Sequence, residues 1–348
     1  MGTASRWYCT RESVKSAIGV VGTKIDSIVD SLIESASAHI EAAIGRRFIP
    51  VTETRYYPWP QPNGNSLKVY LDEDLLSLTT LNAAAQDASP TTIAASDYFL
   101  EPVNNPPYRR IEIDRSSSAS FVSGDTPQRS ISVLGRWGYS EVTKTAGATA
   151  ENMDASETGL DVTDASLIDV GDTLLIGTEA LFVSGRSLLT TTTTLNDASV
   201  TASMSNVSIT VADGTKVKAG EVISLDFEKM LVEAISGNVL TVIRQYDGST
   251  LAAHSTGITI YAGRTLTVVR GVNGTTAATS TSGAAITKYA PPGDIAEWCR
   301  AKAGLALREG AAGYSNSMGG GEGNVNVNQG TVMRMEAEAI AKYGVVTL

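Results

Sequence analysis

Cysteine and histidine are scarce in this sequence, with two of each among 348 residues. Cys9 and Cys299 stand far apart and form no metal-binding or redox motif, so a reducing compartment such as a cytosol suits the chain. His39 and His254 have no serine, cysteine or carboxylate near them at the spacing of a catalytic set. Positive charge is also short: the net charge is −10, whereas a general nucleic-acid binder needs a basic stripe to displace counterions. No run approaches the ~20 apolar residues of a membrane span, so no membrane association is expected. The opening MGTASRWYCTRES lacks the basic-then-apolar layout of a signal peptide, and Arg6 stands where a myristoylation motif needs Ser or Thr.

Motifs for small ligands are missing too. GVVGTK (residues 19–24) lacks the four-residue spacer of a phosphate loop. The carboxylates of DVTDASLIDVGD (residues 161–172) do not alternate around a central glycine as a calcium loop requires, and read instead as hairpin turns. Asn206-Val-Ser and Asn273-Gly-Thr are chance glycosylation-like triplets in a cytosolic chain. No catalytic, cofactor-binding or metal residue is assigned, and the chain is not expected to be an enzyme.

What the sequence does contain is a repeat. LTVIRQYDGSTLAAHSTGI (residues 240–258) aligns without a gap on LTVVRGVNGTTAATSTSG (from Leu266). Upstream, LDVTDASLIDVGDTLLI (residues 160–176) aligns on ITVADGTKVKAGEVISL (residues 209–225) at a different offset, placing Asp164 on Asp213 and Gly171 on Gly220. Apolar–polar alternation in both predicts half-buried strands joined by a tight hairpin at the Gly-Asp or Gly-Glu step. The order is first half, first half, second half, second half, whereas a plain tandem would alternate. Nesting explains it: an outer module, residues 158–185 plus 264–289, is interrupted by a continuous copy at 207–262. GRS (residues 185–187) and GRT (residues 263–265) are the lips of the insertion. The rival reading takes the Thr-rich residues 188–204 as a degraded second half in a tandem. A module of about 50 residues in short strands needs a closed or stacked arrangement to protect its edges.

The flanks differ from this inserted β region at 149–289. Residues 23–45 carry Ile25, Ile28, Val29, Leu32, Ile33, Ala36 and Ile40 at helical spacing, with Thr23 as cap and Gly45 as stop. A shorter helix is expected behind Thr10, and PPGDIAEWCRAKAGLALREG (residues 291–310) opens another, with Asp294 as cap. Between them run extended segments, among them LKVYLDEDLLSLTTL and RSISVLGRWGY.

In order, IEAAIGRRFIPVTETRYY (residues 40–57), LDEDLLSLTTL (71–81), YFLEPVNNPPYRRIEI (98–113), ISVLGRWGY (131–139) and PPGDIAEWCRAKAGLALR (291–308) resemble the head–tail adaptor, or connector, proteins of tailed bacteriophages. The resemblance covers both flanks and none of the β modules. It implies an α+β fold with an α-helical adaptor core of long helices and short strands, residues 1–148 and 290–348, carrying the inserted all-β region. It also implies a virion protein assembled in the host cytoplasm: a homo-oligomeric ring, usually of about twelve copies, closed through one heterologous interface. Such a ring lies under the portal protein, docks tail, stopper or neck components, and passes DNA through its channel without gripping it. Asp72, Glu73 and Asp74 then face either an acidic lumen or, more commonly for such a run, solvent in a turn. Arg46 and Arg47 either meet a ring neighbour or partner, or favour a helix C-terminus and face water. The β modules are expected to project outward toward a peripheral partner such as a tail fibre.

At the C-terminus, residues 310–330 are rich in Gly, Asn and Ser and are expected to act as a flexible tether. The segment 331–344 has helical spacing with Thr331 as cap. Val332, Met335 and Tyr343 are its candidate portal-docking anchors; folding back on its own subunit is the alternative. A different class, a tail-fibre or adhesin-type β-repeat protein, is suggested by the Thr-rich repeats, with threefold symmetry to separate it from a ring.

Overall fold

The computed structural model describes residues 6–60, 67–311, 317–318, 325–326 and 329–345. Helix α1 (Arg11–Ile18) starts at Thr10, whose hydroxyl accepts from the Ser13 backbone N–H while Ser13 answers the Thr10 N–H in a capping box. Helix α2 (Asp26–Ile44) ends at Gly45 in the left-handed conformation, but begins three residues after Thr23 and carries no side-chain cap. Strands β1 (Val51–Tyr57), β2 (Lys68–Ala83), β3 (Thr91–Ile93), β4 (Tyr98–Glu101), β5 (Tyr108–Ile113) and β6 (Ile131–Trp137) build a six-stranded antiparallel sheet. Its order is β1-β6-β2-β5-β4, with β3 beside β2. This sheet has its own apolar core, centred on Leu75, Ile111, Val133 and Trp137.

The expectation of an α-helical core is overturned here. Among the described residues strand takes about 38% and helix about 23%, in four α-helices and a few single 3₁₀ turns. The segments read as short strands between helices are a continuous sheet, of which β2 alone runs 16 residues. Alternation in VYLDEDLLSL is broken by an irregularity between Tyr70 and Leu75: β2 pairs with β5 up to Tyr70 and again at Leu75, where its pairing with β6 begins. A strand whose register shifts in this way shows no steady period of two in its sequence.

After β6 the chain forms two barrels. The outer one comprises β7 (Thr143–Ala148), β8 (Gly159–Asp161), β9 (Thr173–Ile176), the first part of β10 (Glu179–Thr194), the last part of β17 (Thr259–Val269) and β18 (Ala285–Tyr289). Strand order is β8-β17-β10-β9-β18-β7, and a bridge between Thr149 and Val162 joins β7 back to β8. Between β10 and β17 lie β11 (Ser199–Val200), β12 (Ser208–Thr210), β13 (Val222–Leu225), β14 (Glu228–Ser236), β15 (Val239–Ile243) and β16 (His254–Ser255). These give the same ring, β12-β15-β14-β13-β17-β10, closed by a bridge between Leu195 and Val211. Closure removes open edges, as short strands require.

Each barrel has its own core. Leu160, Leu174, Leu181, Leu266 and Ile286 fill the outer one; Ile209, Ile223, Met230, Leu240 and Ile260 fill the other. Equivalence reaches further upstream than the sequence alignment: Thr149 corresponds to Leu195, and the Met153–Ser280 bridge to the Val200–His254 pair. The Thr-rich segment is therefore the first strand of the inner barrel. The Gly-Asp step is not a hairpin: β8 and β9 are not neighbours, and Asp164 and Asp213 instead cap single 3₁₀ turns. The hairpins lie at Gly177-Thr178 and Asp226-Phe227, following Ile176↔Glu179 and Leu225↔Glu228.

The long strands β10 and β17 pass from one barrel to the other. Ser187 pairs with Thr265, which matches Ser236 pairing with Val239 across the two-residue turn Gly237-Asn238. The inner barrel thus occupies the place of a two-residue hairpin turn. Helix α3 (Gly293–Ala311) follows β18, and α4 (Gln329–Tyr343) packs beside it. The helical core takes in Ala180, Phe182, Val272 and Tyr289 of the outer barrel, so that barrel is not a separable satellite. Removing all of residues 149–289 would strip apolar partners from Trp7 and the helices.

A narrower excision respects these cores. Replacing residues 188–264 by Gly-Asn, to join Ser187 to Thr265 through the turn the inner barrel itself uses, is expected to leave a cooperatively melting chain. Hydrogen exchange should still find protected amides in β9, β18 and α3. An unfolded product would mean that the outer barrel depends on the inner one.

Candidate functional site

Two buried ion pairs organise the barrels. Arg244 meets Glu228 through paired contacts, Nε to Oε1 at 2.7 Å and the second guanidinium nitrogen to Oε2 at 2.8 Å. The guanidinium also donates to the carbonyls of Thr201, Asn206 and Ala252. Glu228 in turn accepts from the backbone N–H groups of Gln245 and Ala252. Arg270 and Glu179 repeat this in the outer barrel at 2.7 and 2.8 Å, with donation to the carbonyls of Asp154, Glu157 and Ala278 and acceptance from Gly271 and Ala278. Full satisfaction by fixed donors and acceptors is what makes burial of such charges tolerable. Burial opposes ionisation of Glu228, but the hydrogen bonds from Arg244, Ala252, His254 and Gln245 outweigh it and hold the carboxyl at about 2.

The loop that each arginine anchors carries an Asx-Gly turn, and both turns touch the host chain. In the outer barrel the Asn273 carbonyl accepts from Thr52 N–H at 2.8 Å, at the start of β1. In the inner barrel the Asp247 carboxylate accepts from Gly22 N–H at 2.8 Å, between α1 and α2. Gly274 and Gly248 both have positive φ, 75° and 71°. A Cβ on Gly274 would fall within the radius of the Thr52 carbonyl oxygen, so only glycine permits this approach. Corresponding residues of the repeat thus do the same work at two places.

A third polar assembly sits where α2 meets the sheet. Asp74 is buried between Arg46, at 3.3 Å, and Arg109, at 2.7 Å. Arg47 reaches Glu53 at 3.3 Å and Glu73 at 3.0 Å, and Arg55 contacts Glu53, Asp72 and Glu73. The Arg46 guanidinium lies 4.9 Å from the Tyr139 ring centre, and burial lowers its pKa. A cleft of about 310 Å³ opens here, lined by Arg46, Arg47 and Arg55 against Glu41, Asp72 and Glu73. Cations and carboxylates balance along its lining, so the cleft offers no net positive charge to an anion and joins helix to sheet through ion pairs. Asp72, Glu73 and Asp74 lie inside β2, neither in a turn nor all on one exposed face.

The candidate docking residues of the last helix are occupied within the chain. Val332 and Tyr343 are buried in the helical core, and Met335 packs against it. Tyr343 completes an aromatic triangle with Phe48 at 5.4 Å and Tyr139 at 5.3 Å, and its hydroxyl donates to Asp294. Most of the tether proposed for residues 310–330 lies outside the described residues. His39 approaches Glu336 of α4 at 3.1 Å. His254 is buried, with one ring nitrogen 3.2 Å from Asp226 and the other 2.9 Å from Glu228. Among the described residues no group of three His, Cys, Asp or Glu side chains is arranged to hold a metal ion.

Sequence reasoning found Arg244 and Arg270 as shared repeat positions but not their partners. The signal was close by: continuing the upstream alignment three residues beyond Ile176 and Leu225 sets Glu179 on Glu228. No protein-family model matches the chain, and neither does any curated protein or solved structure.

Breaking one barrel pair strands a buried charge. Glu228→Ala, which leaves Arg244 facing only carbonyls, is expected to lower stability by about 3–5 kcal/mol in denaturant titration. Because its folded pKa lies below the ordinary 4.5, Glu228 contributes stability above that pH and loses the contribution as pH falls toward about 2. Acid unfolding monitored over that window should be flatter in the variant; an unchanged acid profile would show that the pair does not govern it.

Proposed function

We propose that this chain is a structural virion protein, an adaptor subunit of a tailed-phage head–tail junction that assembles into a ring beneath the portal. The reading is carried by the path of the host chain. Thr143 of β7 pairs with Tyr289 of β18, and Ala290 N–H donates to the Val142 carbonyl at 2.8 Å. The chain therefore leaves the host after β6 and returns to α3 at the same point. With the insertion set aside, helix α2, the strands and the GRWGY segment lead directly to the PPGDI helix, in the order of the connector family. Support comes from this order and not from a predominantly α-helical body, since strand outweighs helix among the described residues.

Polar groups at the α2–sheet joint neutralise one another, which suits a component that holds position. Helix α2 turns Val29, Ile33, Ala36 and Ile40 into its own subunit, leaving the sheet to supply the ring contact. Tyr56 is 52%, Tyr70 66% and Phe99 54% exposed on that sheet, and aromatic side chains are the usual anchors of protein interfaces.

Averaged electron-microscope images of the purified chain, alone and with portal protein, test the proposal. Closed rings of about twelve copies are expected, the number being that of the connector family; one repeated heterologous contact closes into a ring when its rotation divides the full turn. Tyr70→Asp should keep the monomer folded and reduce the fraction in rings. A chain that stays monomeric with portal present would exclude the adaptor role, and threefold particles would favour a fibre component.

A further inference from the structure

The two cysteines, separated by nearly the whole sequence, meet in the helical core. Cys9 Sγ lies 3.2 Å from Cys299 Sγ, with both thiols free and buried. Cys9 belongs to the segment before α1, whose residues 6–10 form no helix or strand. Cys299 lies on the inward face of α3. The Ser37 hydroxyl of α2 is 3.4 Å from Cys299 Sγ, so three separate elements converge on this sulfur.

The surrounding segment is the fastener between the helices and the outer barrel. Trp7 packs edge-on against Phe182 of β10 at 5.2 Å and lies against Gly171. Tyr8 donates to Glu41 of α2 at 2.7 Å and accepts from Phe48 N–H. Anything that ties Cys9 to α3 also holds Trp7 on the barrel.

We propose that Cys9 and Cys299 form a redox-sensitive clasp: an internal disulfide, made in an oxidising medium, that locks the first segment onto α3 and the outer barrel. The chemistry balances with a low-molecular-weight disulfide as oxidant. Cys299 thiolate attacks one sulfur of the oxidant, forming a mixed disulfide and releasing one thiolate. Cys9, deprotonated in turn, attacks the Cys299 sulfur and releases the second thiolate. Two protein thiols lose two electrons, and the oxidant becomes two thiols that carry the two protons. Cys299 is the natural attacker, because the Cys9 thiol, the Ser37 hydroxyl and nearby backbone N–H groups donate to it and lower its pKa. The same contact, with burial, raises that of Cys9. As the chain has no third cysteine, no other internal pairing competes.

The test treats the folded full-length protein with oxidised glutathione, then reads free thiols, intact mass and melting midpoint. Expected are loss of both thiols, a mass lower by two hydrogens with no retained glutathione, and a melting midpoint several degrees higher that dithiothreitol reverses. Such a rise follows from closing a very long loop in the unfolded chain. Cys9→Ser is expected to stay folded, to keep glutathione on Cys299, and to show no rise. Three results would overturn the clasp: glutathione adducts that persist on the unmodified sequence, thiols that react only as fast as the whole chain unfolds, or a disulfide that leaves the midpoint unchanged or lower.

Discussion

The paired arginine and glutamate at the strand ends of each barrel are the constraint on which the other features rest. A guanidinium buried beside a carboxylate is tolerated only when nearly every donor and acceptor is used. Glu228 and Arg244 meet that condition by drawing in backbone groups from two separate loops, and Glu179 and Arg270 do the same. Loops without regular structure thereby acquire fixed positions. The Asx-Gly turns that follow the arginines are held where they can touch the host, and the insertion becomes attached to it.

This attachment distinguishes the two barrels. The outer one contributes Ala180, Phe182, Val272 and Tyr289 to the helical core, so its surface is partly interior. The inner one meets the helices mainly around Val21, Gly22 and Lys15, through Asp247 and Gly248. It meets its sibling through Glu221, which pairs with Arg264 and accepts from Ala165 N–H. The same fold is used once as part of the body and once as an addition in place of a hairpin turn. Such positions tolerate insertion because the strand ends stay adjacent whatever connects them.

Charge in this chain serves cohesion more than recognition. Arg46, Arg47 and Arg109 are spent on Asp74, Glu53 and Glu73, and the excess of acidic residues leaves no cationic patch at the joint. That pattern fits a component that transmits position between elements. The aromatic triangle of Phe48, Tyr139 and Tyr343 has the same character, since it brings α4 onto the joint between α2 and β6.

Local patterns were legible without coordinates. Thr10 as a cap and Gly45 as a stop follow from hydrogen-bonding chemistry and left-handed backbone geometry within a few residues. The repeated LTVxR and Asx-Gly positions were visible because a duplicated core preserves the side chains it buries. What the sequence could not decide was set by contacts between distant residues. The irregularity in β2, its pairing with β5 and then β6 and the six-stranded sheet depend on which strands lie on either side. Val332, Met335 and Tyr343 have the spacing of a docking face whether they meet a partner or their own α3; only packing chose the latter. Cys9 and Cys299 carry no local mark of their proximity, because it arises when the first segment, α2 and α3 close over one core. Periodicity reports which face of an element is apolar, and the tertiary structure alone determines what that face meets.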